Sequence, residues 1–127
     1  MNRRKTVIGI VGPYTGNTTY EVFKNIEIAR HTAEKVWSAG FSCFCPHLNT
    51  AFMDGIHGIS AEAWYDGTLE LMTRCDAILV LGRWEGSTGT KHEIEIAKQL
   101  KMPVYFRLND VIIGFVNDEI KRRNPSE

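Results

Sequence analysis

The sequence predicts a three-layer α/β domain, a parallel sheet with helices on both faces, and three observations carry that expectation. Short apolar runs, partly β-branched, recur at residues 6–12, 41–45, 76–82 and 103–106. Between them, apolar residues repeat at the three- and four-residue intervals of a helix face. Strand and helix alternate along the chain, which in one small domain implies parallel strands joined by right-handed crossovers. The 127 residues suit a single domain, 1–127, large enough to bury a core without disulfides.

Each element has its own signal. Residues 6–12, ended by Gly12-Pro13, form an apolar run suited to a strand buried on both faces. Thr18-Thr19-Tyr20-Glu21 fits a capping box, and Val22, Ile26, Ala29, Ala33 and Val36 give the helix after it an apolar stripe that runs out near Gly40. Residues 41–45 form a second strand stopped by Pro46, and a long loop, 47–59, follows; it contains Asn49, Asp54, Gly55, His57 and Gly58. Ser60 caps a second helix reaching about residue 74. Residues 76–82 are the clearest buried strand, a third helix spans about 89–101, and 103–106 form a fourth strand. The tail to Arg123 holds a further strand or helix that periodicity does not assign, so the sheet has four to five strands.

Composition narrows the function classes. Fifteen basic residues balance fifteen acidic ones, which argues against nucleic acid as a partner. The basic clusters Arg3-Arg4-Lys5 and Lys121-Arg122-Arg123 fit solvated ends. No apolar run approaches the ~20 residues that span a membrane, and no apolar leader opens the chain, so the expected compartment is the cytoplasm. Cys43, Cys45 and Cys75 lack the spacing of a disulfide framework. Cys43, Cys45 and His47 alternate along the expected second strand and can share a face, but no fourth ligand is evident, so the expectation is buried thiols and no metal.

In a sheet of this kind ligands bind beyond the carboxyl ends of the strands, where the loops 12–17, 46–59 and 82–90 converge. The turn Gly12-Pro13-Tyr14-Thr15-Gly16-Asn17 lets backbone N–H groups approach an anion or sugar, and it equally suits simple chain reversal. Gly86-Ser87-Thr88-Gly89-Thr90 opens the third helix, where unpaired N–H groups favour phosphate; Ser87, Thr88 or Thr90 serving simply as the helix cap fits the same stretch and does not exclude an anion there. This is not a Walker loop, because the G-x-x-x-x-G-K order is absent. Glu93 shares a face with Ile96, Ala97 and Leu100, as an inward nucleophile or base would, whereas Glu95 does not. Thr90-Lys91-His92-Glu93 also fits a capping box, so a structural role for Glu93 is open. Full burial raises a glutamate pKa from about 4.3 by roughly 3 to 5, and the helix dipole offsets less than one of these. A charged Glu93 therefore needs hydrogen-bond donors, with Tyr14 and the N–H groups near Gly89 as candidates, or incomplete burial. Trp84, with Glu85, can stack on a planar base or pack at the sheet edge. Asp66 lies in the first turns of the second helix, where an acidic residue is favourable in any case and a second catalytic carboxylate is the alternative.

Together, Gly12-Pro13-Tyr14-Thr15-Gly16, Asn25, Cys75-Asp76-Ala77-Ile78, Trp84-Glu85 and Ser87-Thr88-Gly89 followed by Glu93 and Ala97 resemble the nucleoside 2-deoxyribosyltransferase-like superfamily. The resemblance is nearest to its small bacterial and phage branch of unknown function and covers roughly residues 6–106. It implies a Rossmann-like (flavodoxin-like) sheet and cleavage or transfer at the N-glycosidic bond of a nucleoside or its 5′-monophosphate. Glu93 would be the nucleophile at C1′, Asp66 the acid for the departing base, and Ser87 and Gly89 the phosphate seat. Gly12, Pro13, Tyr14, Gly16, Asn49 and Trp84 complete the expected substrate-binding set. No cofactor is implied, and a homodimer or larger assembly is, which would give the tail a role through Asn109 or Asp110. Two positions depart from the family pattern: Gly9 stands where many members carry tyrosine, and Thr68 where they carry aspartate. These departures motivate the alternative of a nucleotide-binding module without turnover.

Overall fold

The computed structural model describes residues 5–53 and 55–123, with side chains up to residue 116. Arg3, Arg4, Asp54 and the side chains of 121–123 lie outside these. Four parallel strands, β1 (Val7–Val11), β2 (Ser42–Phe44), β3 (Ala77–Val80) and β4 (Val104–Tyr105), form one sheet in the order β2-β1-β3-β4. The helices are α1 (Thr19–Ser38), α2 (Pro46–Asn49), α3 (Ala61–Met72), α4 (Thr88–Gln99) and α5 (Leu108–Arg123). Short 3-10 turns at Ile56–Gly58 and Trp84–Gly86 precede α3 and α4.

The period-two alternation of a strand separates two cores. Ile8, Ile10, Ala77, Leu79 and Leu81 face Ala29, Ala33 and Val36 of α1 and Val111 of α5. Val11, Ile78 and Val80 face Met72 of α3 and Ile94 and Ala97 of α4. Each fully buried isoleucine removes apolar area worth about 1.5–3 kcal/mol, so both faces of β1 and β3 hold the sheet between its helix layers. This is the three-layer α/β fold expected. Asp76 closes the β1/β3 pair at its start: its carboxylate accepts the Val7 N–H at 2.7 Å while its own N–H donates to the Val7 carbonyl at 2.8 Å.

Thr18 caps α1 by accepting the Glu21 N–H at 3.1 Å, and Gly40 at φ 99 turns the chain out of it. Glu21 reaches back to the Asn17 N–H at 2.7 Å, one residue before the cap. Two expectations are corrected. The long loop contains α2, which begins at Pro46, where a fixed φ and a missing N–H suit a first helical position. His47 therefore leaves the strand and shares no strand face with Cys43 and Cys45. The tail, which periodicity left open between strand and helix, is helical. Its apolar residues Leu108, Val111 and Phe115 pack on the α1 side of the sheet, with Phe115 edge-on to Phe41 at 5.7 Å.

All three cysteines are free thiols. Burial, with smaller contributions from Cys45 and Cys75, pushes Cys43 up to about 12; burial, then Asp76, pushes Cys75 to about 11. Among the described residues no helix is long and apolar enough to cross a membrane.

Candidate active site

In the order β2-β1-β3-β4 the chain turns outward in opposite directions from β1 and β3, so the loops leaving these two strands diverge and open a crevice between them. The cleft there has a volume of about 1190 Å³, beyond the usual range for a small-molecule site. The β1 loop, α2, α3 and the start of α4 supply its walls.

Gly12 forms the floor where β1 ends. A Cβ at this position would lie 2.6 Å from Leu81 Cδ1 and 2.7 Å from Leu81 Cβ, so only glycine lets the two strand ends approach this closely. Pro13, Tyr14 and Gly16 continue along the same wall. His47 reaches the loop from α2. It is 4 % exposed, its Nε2 lies 2.9 Å from the Pro13 carbonyl, and its ring is 5.9 Å from that of Tyr14. Burial lowers its pKa against the opposing pull of the Pro13 and Gly12 backbone, so the ring is neutral near pH 7. A carbonyl only accepts, so Nε2 carries the proton.

Across the cleft, Ser87 caps α4. Its Oγ accepts the Thr90 N–H at 3.2 Å and the Thr90 hydroxyl at 2.8 Å. Those two bonds use its two acceptor sites and leave its own O–H free to donate. The N–H groups of Thr88 and Gly89 have no partner among the described residues. Cap and free hydroxyl donor are thus combined in one residue. Ser87→Ala is expected to destabilise the protein by about 1 kcal/mol and, separately, to weaken binding of a phosphorylated ligand more than of its unphosphorylated form, read by thermal denaturation and calorimetric titration. Equal loss for both ligands would remove the anion role.

One turn inside α4, Glu93 is half-buried and lines the cleft. Its capping-box alternative is not formed, because the Thr90 N–H is taken by Ser87. Neither Tyr14 nor the backbone near Gly89 bonds to Glu93: the Tyr14 hydroxyl accepts from the Phe52 N–H at 3.4 Å, and the Gly89 carbonyl accepts from Tyr65 at 3.3 Å. Burial without a hydrogen-bonded partner pushes Glu93 up to about 7. Tyr65, on the facing helix, is pushed to about 12 by burial first and then by the negative charges of Glu93 and Asp66. The inward stripe of α4 is Thr90, Ile94 and Ala97; Leu100 is exposed and Glu95 points to solvent.

Three residues singled out in the sequence do not join this group. Asp66 is exposed and off the cleft, because Trp64, Tyr65 and Thr68 occupy the inward face of α3 one and two turns before Leu69 and Met72. Asn49 is exposed at the end of α2 and borders a small groove beside Cys43 and Trp37 instead. Trp84 packs on Phe106 at 5.5 Å and on the α3/α4 core, so it fills the sheet edge. Helical spacing back from Met72 is the signal that identifies Trp64, Tyr65 and Thr68. His47 is identified by Pro46 opening a helix.

Residues 6–106 match the family described as a domain of unknown function, DUF4406. The chain belongs to the DUF4406 family. No curated protein sequence matches this DUF4406 chain. Among solved structures it is similar to a 2-deoxyribosyltransferase from the psychrotolerant bacterium Bacillus psychrosaccharolyticus. Identity is 20%, the TM-score is 0.58, and 78% of this chain and 69% of that one are covered. The work on that enzyme presents it as a biocatalyst for nucleoside synthesis. The two share the flavodoxin-like fold, and the matched DUF4406 span coincides with the one over which the sequence resembles the nucleoside 2-deoxyribosyltransferase-like superfamily.

The two departures acquire places in the DUF4406 domain. A Cβ at Gly9 would lie 3.0 Å from Cys75 Sγ, so a tyrosine there would run into the buried thiol. Thr68 lines the cleft, so a hydroxyl occupies a wall position where the resemblance led to the expectation of a carboxylate. Among the described residues, no group of three or more His, Cys, Asp or Glu side chains gathers with metal-site geometry.

Proposed function

We propose that the cleft binds a nucleoside or its 5′-monophosphate and cleaves its N-glycosidic bond through Glu93. The observation that carries the reading is a carboxyl group on the inner face of α4, at the switch point of the sheet, that burial raises to about 7 and that no hydrogen bond engages. In the reaction a Glu93 carboxylate oxygen attacks C1′ and the C1′–N bond breaks. The base leaves with the electron pair and takes a proton from water. Water or a second base then attacks C1′ and releases the glutamate, the double displacement of retaining glycosidases. Phosphate on the sugar would meet Ser87 Oγ–H and the N–H groups of Thr88 and Gly89, and Tyr14 and Trp64 offer apolar surface to the base. The homodimer implied by the resemblance belongs to the same proposal.

Only the carboxylate form attacks. With Glu93 raised to about 7, kcat/KM is expected to climb with pH through that value and level off above it, lying about tenfold below its plateau one pH unit under the midpoint. A free-base assay across pH on a deoxynucleotide panel, with and without an acceptor base, reads this directly. A profile flat between pH 5 and 8 would remove Glu93 as the titrating nucleophile. The second reading, a binding module without turnover, is favoured by one observation: none of the carboxylates of α3 lines the cleft. Saturable nucleotide binding with no base release by the wild type would decide for it.

A further inference from the structure

We propose that the loop after β1 is a cradle of backbone donors for an acceptor-only oxygen group of the bound nucleotide, and that His47 and Asn25 are the positioning residues that shape it. The proposal rests on the nucleotide reading of the cleft.

Three successive carbonyls of this loop are taken by side chains. His47 Nε2 donates to the Pro13 oxygen at 2.9 Å, and Asn25 Nδ2 donates to the oxygens of Tyr14 at 3.1 Å and Thr15 at 3.2 Å. In a planar trans peptide the N–H of one residue points opposite the carbonyl of the residue before it. Drawing these oxygens towards His47 and Asn25 therefore turns the N–H groups of Tyr14, Thr15 and Gly16 the other way. None of these three N–H groups has a partner among the described residues; the next one, of Asn17, is closed off by Glu21 at 2.7 Å. The result is a run of donors with its acceptors withdrawn, on residues that line the same cleft as the start of α4. Such a run suits a phosphate or a base carbonyl and disfavours a donor group.

The arrangement has a cost that chain reversal alone does not require. With its proton on Nε2, His47 keeps the lone pair of Nδ1 buried and unpartnered, and the side chain is 4 % exposed. A fold using this loop only as a turn gains nothing from such an orphan, whereas one that must hold the Pro13 carbonyl back does.

Amide proton–nitrogen correlation spectra test this without turnover, with thymidine, thymidine 5′-monophosphate and inorganic phosphate as probes. Saturable downfield movement of the Tyr14, Thr15 and Gly16 amides is expected with the monophosphate. The same movement with inorganic phosphate but not thymidine identifies phosphate as the group held; movement with thymidine identifies an oxygen of the nucleoside. His47→Leu, which removes the donor, is expected to weaken the affinity about tenfold, and His47→Gln, whose amide still reaches a carbonyl, to restore it. A merely structural role would not distinguish these two variants once each shows a folded spectrum. Saturation with shifts confined to Thr88 and Gly89, or unchanged affinity in folded His47→Leu, overturns the cradle while leaving the nucleotide reading intact. No saturable shift with any probe overturns both.

Discussion

Glu93→Gln is expected to abolish release of free base while making the protein more stable than the wild type above neutral pH. Losing a covalent nucleophile typically costs on the order of 10⁴-fold or more in kcat, and an amide cannot replace the carboxylate in attack on C1′. The stability effect has the opposite direction to that of an ordinary paired carboxylate. Burial raises Glu93 from 4.5 to about 7, so between these values the folded chain binds a proton that the unfolded chain has lost, and stability falls as pH rises. Below pH 4 both states are protonated and the variant should match the wild type. Above pH 8 the wild type carries the full cost of a buried charge, on the order of 3 kcal/mol, which glutamine avoids. Denaturation at pH 4 and pH 8 together with a base-release assay reads both effects. Residual turnover within tenfold of wild type would remove the nucleophile, and equal stability at both pH values would remove the buried charge.

Gly12→Ala is expected to have the largest structural effect of any single methyl group added at the site. The new carbon would meet Leu81 Cδ1 at 2.6 Å, Cβ at 2.7 Å and Cγ at 2.9 Å. Leu81 is itself 6 % exposed and packed in the α1-side core, so it cannot swing clear and the two strand ends must part. Overpacking of this kind costs about 1–3 kcal/mol, and here it also opens the crevice between the β1 and β3 loops. Leu81→Ala alone should cost about 2–5 kcal/mol through the cavity it leaves. The double variant should lose less than the sum, because the contacts with Leu81 Cδ1 and Cγ are gone while the one with Cβ at 2.7 Å remains. Additive losses in chemical denaturation would show that the Leu81 Cδ1 and Cγ contacts are not what excludes a side chain at position 12.

The alternation of strand and helix, the Thr18 cap, the Gly40 end of α1, the buried run of β3 and the stretch of small polar residues opening α4 were legible because each rests on chemistry within a few residues. So was the inward turn of Glu93, since helical period places it beside Ala97 whatever the helix packs against. The short helix α2 was legible only in part: Pro46 ends a strand and starts a helix with equal ease, and four residues carry no periodicity. The face of α3 that Asp66 occupies was not legible, because an acidic residue in the first turns is favourable on any face, and only contact with Met72 and the sheet selects Trp64, Tyr65 and Thr68 for the cleft. Trp84 suited stacking and edge packing alike until Phe106, from beyond β4, came to lie beside it.

By itself the sequence determined the fold class, the order of the strands and long helices, and which loops converge at the carboxyl edge of the sheet, because local propensity and hydrophobic period act along the chain. The tertiary structure alone decided the state of those residues. Whether Glu93 folds back as a cap or stands unpaired depends on Ser87 taking the Thr90 N–H, and its pKa depends on the burial that α3 and the sheet impose. The orientation of the β1 loop depends on His47, thirty-four positions from the carbonyl it holds. Contacts between residues distant in the chain leave no period or cap in the sequence, and they are what turn a predicted loop into a site.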